Sequence, residues 1–341
     1  MRDGEHIYCW RVRGRLVCAY SSGSIRQRLA SLSLFPRTSL KRRWLYWGMR
    51  SAVLLGVDRL LMCKCEKLDA LLSNQECCAL VERIKQLYHS DTVEWLITWP
   101  AMVTRRRLYL LYRIPARSVV GVVKIGAGGF NRQQLENEAS VLARLAEGGH
   151  PFAMPRVRLQ ETWSDARVML MLDGFPAVLR AVSKKKAIRN AAAICRYLQS
   201  LDVPMREVSL MDATWYPSVR EHAREMPATY EAVWAHGDLG PGNMAMLSDG
   251  RVFLFDWENA SCEAPKETDR VGFWLALHQD EVLGDPRQGL SDLMDAHGDI
   301  PEDAVKQALC YLAAHDNLAA VKIWEKERRE NIEHSTSNVQ R

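Results

Sequence analysis

The feature that most limits how this chain can fold is a change of hydrophobic period along its length. Between residues 94 and 172, short runs of Val, Ile, Leu and Tyr recur: EWLITW, RLYLLYRI and SVVGVVKI come first, followed by stretches at 156–162 and 167–172. Runs this short, and this rich in β-branched and aromatic residues, suit strands. One segment among them keeps a different period. In LENEASVLARL, Leu135, Glu138, Leu142 and Leu145 fall at i, i+3, i+7 and i+10, which is one face of a helix. A helical pattern over 69–89 precedes the strands, and from Lys186 the chain reads as mainly helical apart from a turn-rich passage between Ala235 and Glu258. Strands gathered in one half and helices in the other describe an α+β, two-lobed chain: a small antiparallel sheet of five strands carrying one helix, then a larger helical lobe. Asp173-Gly174-Phe175-Pro176 reads as the hinge between them. The expected divisions are a basic extension with an amphipathic helix at 1–75, the sheet lobe at 76–173, the helical lobe at 174–330 and a flexible tail at 331–341.

Length permits this arrangement, since 341 residues are enough for two cores. A hydrophobic content of 48% with 26% charged residues excludes a disordered or fibrous chain. Nine cysteines, an odd number with no secretory signal read ahead of them, point to a reducing cytoplasm. Cys63 with Cys65, and Cys77 with Cys78, lack the two-residue spacer of common structural zinc sites and read as ordinary thiols.

The net charge of +5 is unevenly spread. Residues 1–70 hold fourteen Lys and Arg against five Asp and Glu, so the rest of the chain is slightly acidic. Binding of nucleic acid by the whole domain is therefore not expected. Residues 1–43 show no sustained period, and little stable structure is expected there. The run WLYWGMRSAVLLGVDRLLM, from Trp44 to Met62, is broken by Arg50, Asp58 and Arg59, which argues against a membrane-spanning helix and for an amphipathic one. For this basic segment an extension without a role ranks first and peripheral membrane attachment second, ahead of a targeting segment, which Asp3 and Glu5 weaken.

The chemistry is concentrated in WAHGDLGPGNMAMLSDGRVFLFDWENA. His236, Asp238 and Asn243 stand in the order H-x-D-x-x-x-x-N, and Asp256 follows at the end of the strand-like run VFLF. Ser248-Asp249-Gly250 makes a hairpin turn between them, so Asn243 and Asp256 are expected near the open ends of paired strands, where they can converge on one metal. Phosphoryl transfer from ATP needs hard oxygen ligands for Mg²⁺, an acceptor for the attacking hydroxyl's proton and cations around the triphosphate. Asn243 and Asp256 supply the first and Asp238 the second. His236 belongs to the same catalytic loop and suits bracing it better than moving protons. Ala296-His297-Gly298-Asp299 repeats the letters H-G-D, but Ala304 stands where Asn would be needed, so it reads as a helix-entry turn, with Asp299 or Pro301 at the helix start.

For the phosphates, the expected cation is Lys124 at the end of VVGVVKI. Glu138, a carboxylate on a leucine face, is costly there unless paired, and Lys124 is its expected partner. Glu136 points off that face and reads as exposed.

HGDLGPGN followed by FDWE resembles the aminoglycoside phosphotransferase and choline kinase group, phosphotransferases with a protein-kinase-like fold. The resemblance runs over about Trp95 to Leu277, with VVKI and LENEASVLARL similar to the small lobe's lysine strand and following helix. It implies a catalytic role for Asp238, metal ligation by Asn243 and Asp256, phosphate binding by Lys124 with Glu138 as its partner, and support of the loop by Asp269, at the head of a helix. It also implies ATP as co-substrate, Mg²⁺ as cofactor and a hydroxyl of a small molecule or glycoconjugate as acceptor. The chain departs from protein kinases in two ways: the turn Pro100–Thr104 is not glycine-rich, and no A-P-E segment follows Asp256, which counts against protein substrates. The alternative is a pseudokinase that binds nucleotide or a partner without turnover. Trp215–Tyr230 and Phe273–Trp324 are the expected sources of the acceptor pocket, and Glu258, Glu263, Glu267 and Asp280 read as surface-solvating in preference to acceptor-binding.

Overall fold

Alternation with a period of two runs through the first half of the chain, and a single sheet collects it. The computed structural model describes residues 7–12, 15–21, 23–35, 40–64, 71–99, 107–163, 166–177, 180–220 and 226–326. The turn at Pro100–Thr104, the side chains of Cys63 and Cys65, and the tail at 331–341 lie outside the described residues. The chain divides into two units, residues 1–146 with 154–179, and residues 147–153 with 180–341.

The first unit contains β1 (Ile7–Val12), β2 (Arg15–Ser21), α1 (Ile25–Ser33), α2 (Leu40–Leu54), α3 (Asp58–Leu61), β3 (Cys63–Lys64), α4 (Asn74–Leu87), β4 (Glu94–Thr98), β5 (Arg107–Ile114), β6 (Val119–Gly126), α5 (Gly129–Leu145), β7 (Arg156–Thr162) and β8 (Val168–Asp173). Eight strands form one antiparallel sheet in the order β3-β1-β2-β4-β5-β6-β8-β7. The five strands read from the sequence are β4 to β8, and β1 to β3 extend the sheet beyond them. The expectation of little stable structure over 1–43 is therefore corrected. Ile7, Cys9 and Ala19 belong to the same buried cluster as Trp95, Ile97, Leu108 and Val123, and this burial stabilises strands whose own period is too short to announce them.

The alternation sorts the faces of the sheet. Ala19, Trp95, Ile97, Val123 and Ile125 pack with Leu80, Val81 and Ile84 of α4. Cys18, Tyr20 and Leu96 point the other way, to Leu32, Tyr46, Met49 and Val53 of α1 and α2. Lys124, between Val123 and Ile125, shares this second face by the period of the strand. The single expected helix over 44–62 is instead two, because the chain turns at Gly56, whose φ is 72°.

The second unit contains β9 (Arg180–Ala181), α6 (Lys184–Gln199), β10 (Glu207–Ser209), α7 (Tyr216–Val219), β11 (Thr229–Ala235), β12 (Met244–Met246), β13 (Val252–Leu254), β14 (Ser261–Pro265), α8 (Thr268–Leu277), α9 (Gln279–Gly284), α10 (Pro286–Ala296) and α11 (Glu302–Ala314). Its core joins α8 and α11 through Val271, Leu275, Val305, Leu309 and Leu312. Two three-stranded sheets, β10-β11-β14 and β13-β12-β9, frame the turn-rich passage.

Candidate active site

Strand β11 is buried from Ala232 to Ala235 and delivers the chain to His236 inside the core of the second unit. Asp269, in the first turn of α8, accepts from the His236 N–H at 2.7 Å and the Gly237 N–H at 2.9 Å. Burial pushes its carboxyl up to about 6, and the two backbone donors oppose that rise. Gly237 has φ 76°, and a Cβ there would run into the carbonyl oxygen of Asn259, so both conformation and space require glycine.

His236 is fully buried, its ring 4.6 Å from that of Trp257. The Asp238 N–H approaches Nδ1 at 3.4 Å, so Nδ1 accepts and the proton sits on Nε2, which donates to the Phe255 carbonyl at 3.2 Å. The imidazole thus ties the loop to the far strand of the hairpin. The His236 side chain is sealed from solvent. Asp238 is exposed beyond it, and the Asn243 amide Nδ2 donates to its backbone oxygen at 2.8 Å and to its carboxylate at 2.9 Å.

The hairpin register brings Asn243 and Asp256, the two candidate oxygen donors, to one end. Met244 pairs with Leu254, and the Phe255 N–H donates to the Asn243 carbonyl at 3.1 Å, so Asn243 and Asp256 flank the open end of β12 and β13. Neighbouring strands lie about 4.8 Å apart, close enough for two side chains to share a small cation. Asp256 is half-buried and holds the left-handed conformation, φ 70° and ψ 59°, which is unfavourable for a non-glycine residue and turns the chain abruptly out of the strand. The donor set fits Mg²⁺: one carboxylate and one amide oxygen, with the Asn243 nitrogen already committed to Asp238 and its Oδ1 outside that contact.

In the first unit the structure places Lys124 and Glu138 together. Nζ lies 2.9 Å from Oε1 and 2.7 Å from Oε2, with the Glu138 side chain wholly buried. Glu136 instead pairs with Arg132, at 2.8 Å on a solvated face. The helix face also carries polar groups not singled out by the sequence reading. Asn131 and Gln134 are buried and accept from Arg107, itself buried at the start of β5. Trp257 was also missed, although the only signal for it, its place directly after Asp256, is within the motif.

The second H-G-D sequence behaves differently from the first. His297 closes α10 with Nδ1 at 3.0 Å from the Leu293 carbonyl, Asp299 accepts from Arg270 at 2.7 Å, and Pro301 leads into α11. One expectation about the acids fails: Glu258 is only 5% exposed and cannot serve to solvate the surface. A cavity of about 560 Å³ lined by Thr229, Tyr230, Pro301 and Gln307 draws on both stretches expected to supply an acceptor pocket. It opens at the start of β11, whereas Asp238 lies beyond the strand's other end, on the order of 20 Å away along an extended chain.

Residues 189–265 match the sequence profile described as Phosphotransferase enzyme family. This stretch runs from α6 through β14 and contains the whole loop. Curated protein sequences return no match. Among solved structures, the chain is similar to the GDP and kanamycin complex of APH(2")-IIia, with 12% identity, coverage of 76% of this chain and 99% of that one, and a TM-score of 0.44. It is similar to spectinomycin phosphotransferase APH(9)-Ia in complex with ADP and spectinomycin, with 14% identity, coverage of 72% and 86%, and a TM-score of 0.43.

Proposed function

We propose that this protein is an ATP- and Mg²⁺-dependent phosphotransferase that moves the γ-phosphoryl group to a hydroxyl of a small molecule or glycoconjugate. The observation that carries the reading is the open end of the β12–β13 hairpin, where Asn243 contacts Asp238 and lies across from Asp256. The match over residues 189–265 supports it. Asp238, exposed and held by its neighbours, orients the acceptor hydroxyl and takes its proton. Asn243 and Asp256 would hold Mg²⁺, which when bound neutralises phosphate charge. Lys124, kept in place by Glu138, binds the phosphates. Asp269 and His236 keep the loop in register without touching the reactants.

The test is ADP release in a coupled assay across aminoglycosides, choline, amino alcohols and sugars, with and without Mg²⁺. Turnover with at least one acceptor, dependent on Mg²⁺ and abolished in Asp256→Ala, is the expected result. The same variant should bind ATP more weakly only when Mg²⁺ is present. Equal ATP affinity with and without the metal in the unaltered protein would overturn the assignment.

A further inference from the structure

Glu138 can hold Lys124 only while the helix that carries it keeps one rotation. Helix α5 lies against β6, β7 and β8 and buries Leu135, Val141, Leu142 and Leu145. Apolar burial is non-directional, so it draws the helix onto the sheet without choosing which residue faces which strand. The contact of 2.7 Å between Glu138 and Lys124 requires that choice. Turning a helix by one residue swings each side chain by about 100°.

Arg107 supplies a directional constraint. It opens β5, is only 1% exposed, and lies by the strand's alternation on the face opposite to Leu108 and Leu110, which is the face that Lys124 shares. Its cross-strand neighbour is Gly126, while Tyr109 pairs with Lys124, so the two cations stand close together on adjacent strands. At Gly126 a Cβ would come within 2.9 Å of the Asn131 Cβ; the bare glycine lets the first turns of α5 sit directly over the strand. There the Arg107 Nε donates to Asn131 Oδ1 at 2.8 Å, and Nη2 donates to Gln134 Oε1. Asn131 Nδ2 in turn donates to the Ala127 carbonyl at 2.8 Å.

The spacing along α5 links this grip to the ion pair. Asn131, Gln134 and Glu138 fall at i, i+3 and i+7, so they share one side of the helix. One planar guanidinium bonded to residues a turn apart resists both rotation and sliding of that side. The arginine and both amides are buried, and a broken bond would leave polar atoms without water.

We infer that Arg107 is a positioning residue for the nucleotide site. Through Asn131 and Gln134 it fixes α5 and so places the Glu138 carboxylate where it holds Lys124; it acts on no reactant itself. The consequence for ATP rests on the phosphotransfer reading proposed above, whereas the consequence for the Lys124 amine does not.

The experiment has two readouts on the full chain. The first is acetylation of Lys124 by N-hydroxysuccinimidyl acetate, followed by peptide mass spectrometry. The Lys124 side chain is 7% exposed, so it should label slowly in the unaltered protein. In Gln134→Leu and in Arg107→Lys it should label about threefold or more faster, because α5 opens locally. Gln134→Glu, which still accepts from Arg107, should label like the original, as should Glu136→Gln on the solvated side of the helix. Should Arg107→Lys lower the unfolding midpoint, Gln134→Leu beside Gln134→Glu carries the reading. The second readout is ATP affinity in the presence of Mg²⁺. Gln134→Leu should weaken it by about tenfold, and should add nothing to the loss caused by Glu138→Gln, since a residue that acts through Glu138 has no effect once that carboxylate is gone. The proposal is overturned by unchanged Lys124 labelling in the folded variants, by Gln134→Glu behaving like Gln134→Leu, or by losses of ATP affinity that multiply in the double variant. Faster labelling in an unaltered fold, with no ATP binding by the original protein, would uphold the positioning role and remove Lys124 from phosphate binding.

Discussion

The loop of the second unit and the Lys124–Glu138 pair of the first are built by opposite means. The loop is held mainly through its backbone: two N–H groups on Asp269, the His236 ring bridging to the Phe255 carbonyl, and a β-hairpin register beneath Asn243. The pair is one side-chain contact between a strand and a helix, with both charges withdrawn from water. Redundant backbone bonds tolerate the loss of any one member, whereas a buried ion pair does not, since removing one partner leaves the other uncompensated. The loop should therefore lose chemistry before it loses structure, and the pair should lose both together.

The sharpest way to break this comparison is Asp238→Asn. It should lower turnover by about 10² or more while leaving ATP affinity and the unfolding midpoint nearly unchanged, because Asp238 is exposed and the loop's anchors lie elsewhere. A variant with full turnover would remove Asp238 from its role. Glu138→Gln comes next: it removes the carboxylate charge that the buried Lys124 meets at 2.7 Å. Urea unfolding should show a loss of about 3 kcal/mol, with a raised Michaelis constant for ATP. Glu136→Gln is the control, expected within about 0.5 kcal/mol of the original. If Glu136→Gln were the damaging change, the pairing would have no energetic meaning.

The smallest effect concerns pH. Asp269 is raised by burial to about 6 from its ordinary value of 3.8. As pH falls through 6 the carboxylate gains a proton and holds the His236 and Gly237 N–H groups less strongly, so activity should decline on an acid limb near that value. Stability should move the other way. The folded state binds this proton more tightly than the unfolded state, so the contribution of Asp269 to stability grows as pH falls from about 6 towards 3.8. A pH–rate profile beside unfolding midpoints over the same range separates the two, and Asp269→Asn should abolish that acid limb. A rate that simply tracks the unfolding midpoint would show that Asp269 has only a structural effect.

Legibility followed locality. His236, Asp238, Asn243 and Asp256 lie within twenty-one residues, and the turn that folds them back is written in Ser248-Asp249-Gly250. Spacing alone therefore placed Asn243 and Asp256 at the open end of one hairpin, with His236 and Asp238 in the loop just before it. The Glu138 face was readable because helical period separates it from Glu136 by two positions, which point in different directions. Strands β1 and β2 were not readable, since they have no turn-bounded alternating run and depend on burial against residues up to about a hundred positions later. Glu258 was misread for a similar reason: an acid beside Trp257 has no sequence feature that distinguishes burial from exposure.

By itself, the sequence determined strands β4 to β8 with helix α5 among them, the hairpin and the set of oxygen and nitrogen groups available for chemistry, because these depend on side-chain period and turn residues over short spans. Only the tertiary structure decided that Asp269 meets the backbone amides of His236 and Gly237, and that Asp58 meets Arg28. It also decided that the outer side of α2 stays in water. Both kinds of outcome depend on which surfaces distant segments cover, and desolvation by remote neighbours has no signature in local spacing.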